Sequence, residues 1–225
     1  MGRPCVCCRK PAGGCDPDSG KDDICWLDDD RWARSGRGTM FPRAPDDIVI
    51  SQYSDLTNCG CVVMDYYHNG SRHRRGVQYI DPTYVKRFLE SGGFYITNCE
   101  YIEPSQPPFN EQMAAIGSSL RGNGYIEPGG RYVDMVTLPS RVFQGCVANG
   151  AASAEISGGT PLLDARRDLG RFPGGIVCAG EKVRNGYVIA FGDSNVTMRG
   201  PFRDNMFNIM RKRLNPFSSS SQPLP

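Results

Sequence analysis

The sequence predicts an α/β sandwich with a mostly parallel sheet, preceded by an irregular cysteine-rich arm. Three observations predict it. Short β-branched runs alternate with amphipathic helical patterns between residues 46 and 214, the signature of strand–helix–strand units. Five of the ten cysteines fall in the first 25 residues, where no apolar period is visible before Ile48. Charge is nearly balanced, with 26 Lys+Arg against 24 Asp+Glu, in a chain of 225 residues. That length is sufficient for one generous domain to bury a core without staples.

The elements follow in order. Asp47 to Ser51 and Cys61 to Tyr67 are short apolar runs bounded by turn residues and read as buried strands. Asp81-Pro82 then opens a helix, with an Asp cap, Pro at the first helical position and Gly92-Gly93 as its stop. Val85, Phe88 and Leu89 recur at i, i+3 and i+4, so this helix should pack one face on a sheet. Phe94 to Thr97 is the next strand. Asn110 to Leu120 is a second helix, with Met113, Ile116 and Leu120 facing inward. Residues 124–127 and 131–136 are short extended segments, and 143–154 is compatible with either state. Ile176 to Ala179 and Tyr187 to Phe191 form a hairpin through Gly180 to Gly186, an antiparallel edge on the sheet. Asp204 to Leu214 is a last amphipathic helix ending Arg211-Lys212-Arg213. The organisation is therefore an arm and connector (1–45), a folded body (46–214) and a Ser/Pro tail (215–225) too polar to order itself.

Composition excludes several classes. A formal charge of +2 argues against a dedicated nucleic-acid binder. The longest apolar stretches hold about five residues, far from the roughly 20 that span a bilayer. Met1-Gly2-Arg3-Pro4-Cys5 lacks the apolar core of a secretory signal. No glycine-rich phosphate loop is present.

The arm carries the strongest chemical signal: Cys5, Cys7, Cys8, Cys15 and Cys25. Cys5 and Cys8 have the spacing with which two thiolates grip one ion. With Cys15 and Cys25 they make a four-sulfur site suited to a [4Fe–4S] cluster or to zinc, whose binding energy would replace a missing core. Cys7 is then a spare or substitutes for Cys8, and Cys59-Gly60-Cys61 is a second pair that could join. Disulfides in an extracellular particle, free thiols, and a weak calcium loop at Asp16 to Asp22 are the alternatives. Cys99, Cys146 and Cys178 lie beside apolar stretches and read as buried small hydrophobes.

Two resemblances add to this. The helix ending Leu89-Glu90-Ser91-Gly92-Gly93, the late strand closing on Gly192-Asp193-Ser194-Asn195, and the helix with Asn205, Phe207 and Asn208 resemble the class I glutamine amidotransferase-like family in its non-catalytic branch. The resemblance covers roughly 46–214 and implies a flavodoxin-like three-layer sandwich. The family's catalysis does not carry over. It needs Gly-x-Cys-x-Gly at a strand-to-helix turn and a late His that makes the thiol a thiolate. Cys99 lies in Thr97-Asn98-Cys99-Glu100-Tyr101, Cys146 has its glycines misplaced, and the two histidines, His68 and His73, precede both. They read as part of a solvated basic loop. Asp193 and Ser194 read as turn or helix caps, although they lie where a parallel sheet presents ligands. The opening Gly2-Arg3-Pro4-Cys5-Val6-Cys7-Cys8 is similar to the start of virion structural proteins of marine tailed phages and cyanophages.

Together these readings lead to one expectation: a non-enzymatic structural component of a tailed-phage virion, made in the host cytoplasm. It would be tail-, baseplate- or fibre-associated and present in many copies. Its partners would be other virion proteins, without nucleic acid or membrane. A thiol-dependent hydrolase or amidotransferase using Cys99 or Cys146, and a small redox or metal-binding protein, are the alternatives.

Overall fold

The computed structural model describes residues 15–19, 22–27, 44–50, 56, 59–65, 79–99, 102–125, 132–151, 154–165, 174–193 and 196–219. Twelve strands and three α-helices lie among them. The strands are β1 (Ile24–Leu27), β2 (Ile48–Ile50), β3 (Val62–Asp65), β4 (Phe94–Asn98), β5 (Arg121–Tyr125), β6 (Tyr132–Thr137), β7 (Val147–Ala151), β8 (Ala154–Ser157), β9 (Thr160–Ala165), β10 (Gly175–Val183), β11 (Gly186–Phe191) and β12 (Thr197–Arg199). The helices are α1 (Pro82–Glu90), α2 (Ile102–Ile116) and α3 (Phe202–Arg211). Ten strands make one sheet in the order β12-β7-β6-β9-β10-β11-β4-β3-β1-β2, and β5 pairs with β8 apart from it.

This overturns the mostly parallel, flavodoxin-like sandwich. Only β2-β1-β3-β4-β11 are joined in parallel. Every joint from β11 through β10, β9, β6 and β7 to β12 is antiparallel. The reason lies in the connections. A parallel joint needs a crossover of about a dozen residues or more. Beyond β5 the longest links, 138–146 and 166–174, hold nine residues each. The link between β10 and β11 is a two-residue turn in which Arg184 takes φ +56°. These links return the chain antiparallel between the consecutive pairs β6–β7, β9–β10 and β10–β11.

The arm is also corrected. Ile24-Cys25-Trp26-Leu27 is not irregular: it is strand β1, hydrogen-bonded between β3 and β2 with all four residues buried. A four-residue run between Asp22-Asp23 and Asp28-Asp29-Asp30 is too short to show a period in the sequence.

Strands β1, β3 and β4 are buried on both faces, as parallel strands require. Ile24, Trp26, Val62, Met64, Phe94, Ile96, Ile189 and Phe191 supply one core, closed by Phe202, Met206, Phe207, Ile209 and Met210 of α3. Cys25, Val63, Tyr95, Val188 and Ala190 supply the other, closed by Val85, Phe88 and Leu89 of α1 and Phe109, Met113 and Ile116 of α2. Asp81 caps α1 by accepting from the Thr83 N–H at 2.7 Å, and Gly92 ends it at φ +96°. Helix α2 starts eight residues before the apolar pattern does and runs through Pro107 and Pro108, residues that ordinarily break a helical ladder.

The Ser/Pro tail does not stay free throughout. The Val142 N–H donates to the Pro216 carbonyl at 3.1 Å and the Arg141 N–H to that of Ser218 at 3.2 Å. Phe217 stands edge-on to Tyr187 at 5.8 Å. Residues 220–225 lie outside the described residues.

Candidate functional site

Among the described residues, covalent and charged contacts come together where the arm meets the sheet. Cys59-Gly60-Cys61 leads directly into β3. Cys59 is bonded to Cys25 in the middle of β1, and Cys61 to Cys15. The two bridges lie on opposite faces of the sheet. Cys25 and Cys59 belong to the core under α1 and α2, whereas Cys61 belongs to the core under α3 with Cys15 packed against it. Strand alternation alone would put Cys59 and Cys61, two residues apart, on one face. The chain before β3 is not extended: the Cys59 N–H donates to the Leu56 carbonyl in a turn and Cys61 lies at a bend, which sends the two sulfurs to opposite faces while Cys25 stays in register with Val63. Gly60 is required between them: a Cβ there would sit 2.1 Å from the Asp23 Oδ1. That oxygen is buried and has no hydrogen-bond partner among the described residues.

The bridges are nested, closing sequence separations of 34 and 46 residues. In the chain-entropy account the inner one contributes about 4 kcal/mol, and the outer about 3, because most of its loop is already closed.

A polar clasp adds to the covalent one. The Asp47 carboxylate, whose side chain is 0% exposed, accepts from the N–H groups of Ile24 (2.9 Å) and Ala44 (2.8 Å) and from the Trp26 indole (3.0 Å). Arg203 of α3 closes on it bidentately at 2.9 and 2.6 Å and also donates to the Asp22 carbonyl at 2.5 Å. Burial pushes the Asp47 carboxyl up, but the Arg203 guanidinium and the three N–H donors outweigh it and hold the group below its usual range. Arg203 is in turn held above its ordinary value, first by its hydrogen bonds to Asp47. Arg211 pairs with Asp22, and Arg213 lies 3.7 Å from Asp18. The basic end of the last helix is thus matched to the acidic arm. The Cys15 N–H is tied to Ser91 Oγ at 2.9 Å.

Of the five predicted metal ligands, Cys5, Cys7 and Cys8 lie outside the described residues. Cys15 and Cys25 are cystines, and a cystine sulfur has no thiolate to give a metal. Cys59 and Cys61 do join the arm, but as bridge partners. Among the described residues no group of three or more His, Cys, Asp or Glu is placed to hold a metal ion. The carboxylate–guanidinium clasp was not legible in the sequence, because Asp47 and Arg203 stand 156 residues apart and each looks like an ordinary turn or surface residue.

The carboxyl ends of β1, β3, β4 and β11 share one end of the sheet, where α/β proteins usually bind ligands. Among the described residues there, these polar groups are turned inward. Asp65 accepts from the Tyr95 hydroxyl (2.6 Å) and the Ile80 N–H (3.1 Å). Gln112 donates to the Ile80 carbonyl at 2.7 Å, and the Tyr79 hydroxyl to the Asn98 carbonyl at 3.1 Å. Burial and the neighbouring Asp65 carboxylate keep the Tyr95 hydroxyl protonated far above its ordinary range. Asp193 is buried at the end of β11; Ser194 and Asn195 lie outside the described residues, as do His68 and His73.

The candidate nucleophiles are no better placed. Cys99 follows β4 but is 0% exposed, packed so closely on Gly122 that a Cβ there would meet its sulfur at 2.6 Å. Burial pushes the Cys146 thiol up to about 11 and the Cys178 thiol well above its ordinary value. Thiols so raised are inert at neutral pH.

No protein-family model matches the chain, and no curated protein matches it. Among solved structures, it is similar to the crystal structure of beta-galactosidase from Bacillus circulans sp. alkalophilus, with 13% identity and a TM-score of 0.44. The match covers 87% of this chain and 32% of that one, so the chain spans about a third of its length. A likeness of this degree carries neither fold nor activity to the chain. No helix among the described residues is long and apolar enough to cross a membrane.

Proposed function

We infer that the protein is a non-enzymatic structural component of an extracellular particle of the tailed-phage type, acting through a cystine-stapled N-terminal arm. The observation that carries this reading is the two-sided hub at Cys59-Gly60-Cys61, which fastens the arm to the sheet from both faces. Cystines persist in oxidising surroundings such as the outside of a virion and are removed in reducing ones. A cytosolic metal protein would need the same sulfurs as thiolates. With Cys15 and Cys25 engaged, the arm's first residues offer Cys5, Cys7 and Cys8, one short of a four-sulfur centre. The bridges and the Asp47–Arg203 clasp support a reading in which the described part of the arm is held by cystines and an ion pair. The raised and buried thiols of Cys99, Cys146 and Cys178 weigh against the thiol-enzyme alternative.

The test is compositional. Particles released from cells that make the protein should contain it at a fixed copy number that survives high-salt washing. Their non-reducing peptide maps should contain the Cys15–Cys61 and Cys25–Cys59 linked peptides. Absence of the chain from washed particles overturns the assignment. A hydrolase or glutaminase activity of the pure chain that Cys99→Ala abolishes would establish the enzyme instead.

A further inference from the structure

We propose that the two cystines form a graded redox lock. Cys15–Cys61 opens and closes reversibly in the folded protein, while Cys25–Cys59 stays closed until β1 leaves the sheet. This concerns how the stapled arm proposed above is regulated, but it needs only the pairing and not the particle. The asymmetry is one of access. Cys25 is 0% exposed and Cys59 5%, both inside the core covered by α1 and α2. Cys25 is also in the middle of a strand hydrogen-bonded on both sides. A reductant reaches that bridge only by removing β1 from between β2 and β3. The other bridge has one protected end, Cys61 at 3%, and one that is only partly buried, Cys15. Cys15 precedes a single 3-10 turn (Pro17–Ser19) with no buried residue, and its backbone is tied by one N–H bond to Ser91.

The chemistry follows from that difference. The thiolate of a small thiol such as glutathione attacks Cys15 Sγ in line with the S–S bond. A mixed disulfide forms at Cys15, and Cys61 leaves as a thiolate that takes up a proton. A second thiol molecule attacks the mixed disulfide, releasing the Cys15 thiol and oxidised glutathione. Two electrons pass from two small thiols to one cystine. Closure is the reverse, with the small disulfide as oxidant. Opening unlinks the chain N-terminal to Cys15 from β3. Strand β1, still held by Cys25–Cys59 and by Asp47, keeps its place. Once both bridges have formed in oxidising surroundings, the sheet keeps its form while the outer catch alone follows the balance of small thiol and small disulfide around it.

The test is native-state reduction of the full oxidised chain. Aliquots in glutathione buffers of increasing reducing strength are quenched with one alkylating reagent. They are then unfolded, fully reduced and treated with a second reagent of different mass, and each cysteine's label is read by peptide mass spectrometry. Cys15 and Cys61 should take the first label together, at least about tenfold faster than Cys25 and Cys59, since exposed cystines are the labile ones. In strong denaturant the two pairs should react at similar rates. Equal rates in native buffer, faster loss of Cys25–Cys59, resistance of both bridges, or different pairings in the oxidised map would each overturn the proposal. None of these outcomes bears on whether the chain is found in particles.

Discussion

Removing the guanidinium of Arg203 is the sharpest perturbation available. In Arg203→Ala the Asp47 carboxylate stays buried with its three N–H donors but without its counter-ion. Breaking a buried pair by deleting one partner costs about 3–5 kcal/mol. Two features lower that here: the three remaining donors, and the 21% exposure of the Arg203 side chain, which lets water reach the pair. A loss of about 2–3 kcal/mol is therefore expected. With a urea slope near 2 kcal/mol/M, the unfolding midpoint should fall by about 1–1.5 M, at unchanged slope. Arg203→Lys, which keeps the charge but not the bidentate fork, should fall between. The pH dependence gives a second readout. Asp47 is held below its ordinary value of 3.8 in the fold. Its contribution is therefore fully present above that value and is lost as pH falls through the lower folded one. The wild-type midpoint should drop across that acidic window, and the drop should shrink in Arg203→Ala. A shift under about 0.3 M at pH 7, or identical acid limbs in the two proteins, would refute the view that this clasp holds the arm.

Three further outcomes are expected. Gly60→Ala drives a methyl group against the Asp23 carboxylate and should cost about 1–3 kcal/mol, with scrambled cystines visible in a non-reducing peptide map. Cys146, raised to about 11, should resist alkylation in the native protein at pH 8, where roughly one thiol in a thousand is ionised, and react fully in 6 M denaturant (about the usual unfolding concentration). Phe217→Ala removes the ring that stands against Tyr187 and covers Gly180. It should lower stability by about 2 kcal/mol, or about 4–8 °C in the calorimetric midpoint.

Local signals were legible where one segment's chemistry decides its own state. Asp81-Pro82 and Gly92 delimit α1 because a cap, a fixed φ and a left-handed stop act within one or two turns. The period of Val85, Phe88 and Leu89 showed which face it buries. The buried thiols of Cys99, Cys146 and Cys178 followed from their apolar neighbours. The start of helix α2 is not legible in the sequence because its first half is polar and rich in proline. The mixed sheet was missed for a related reason. Strand direction is decided by the length and path of connections over the whole body, and no single strand records it.

The cysteine arm divides the same way. By itself the sequence determined that cysteine is the arm's distinctive chemistry, and it offered Cys59-Gly60-Cys61 as a second pair that could join, because clustered sulfurs call for a covalent or coordinate partner. Only the tertiary structure decided which. By inserting Ile24–Leu27 between two distant strands, it brings Cys25 to Cys59 and Cys15 to Cys61 at Cα separations of 5.5 and 4.3 Å. Disulfide geometry is met or missed by an ångström or two, and that distance is a property of the assembled sheet.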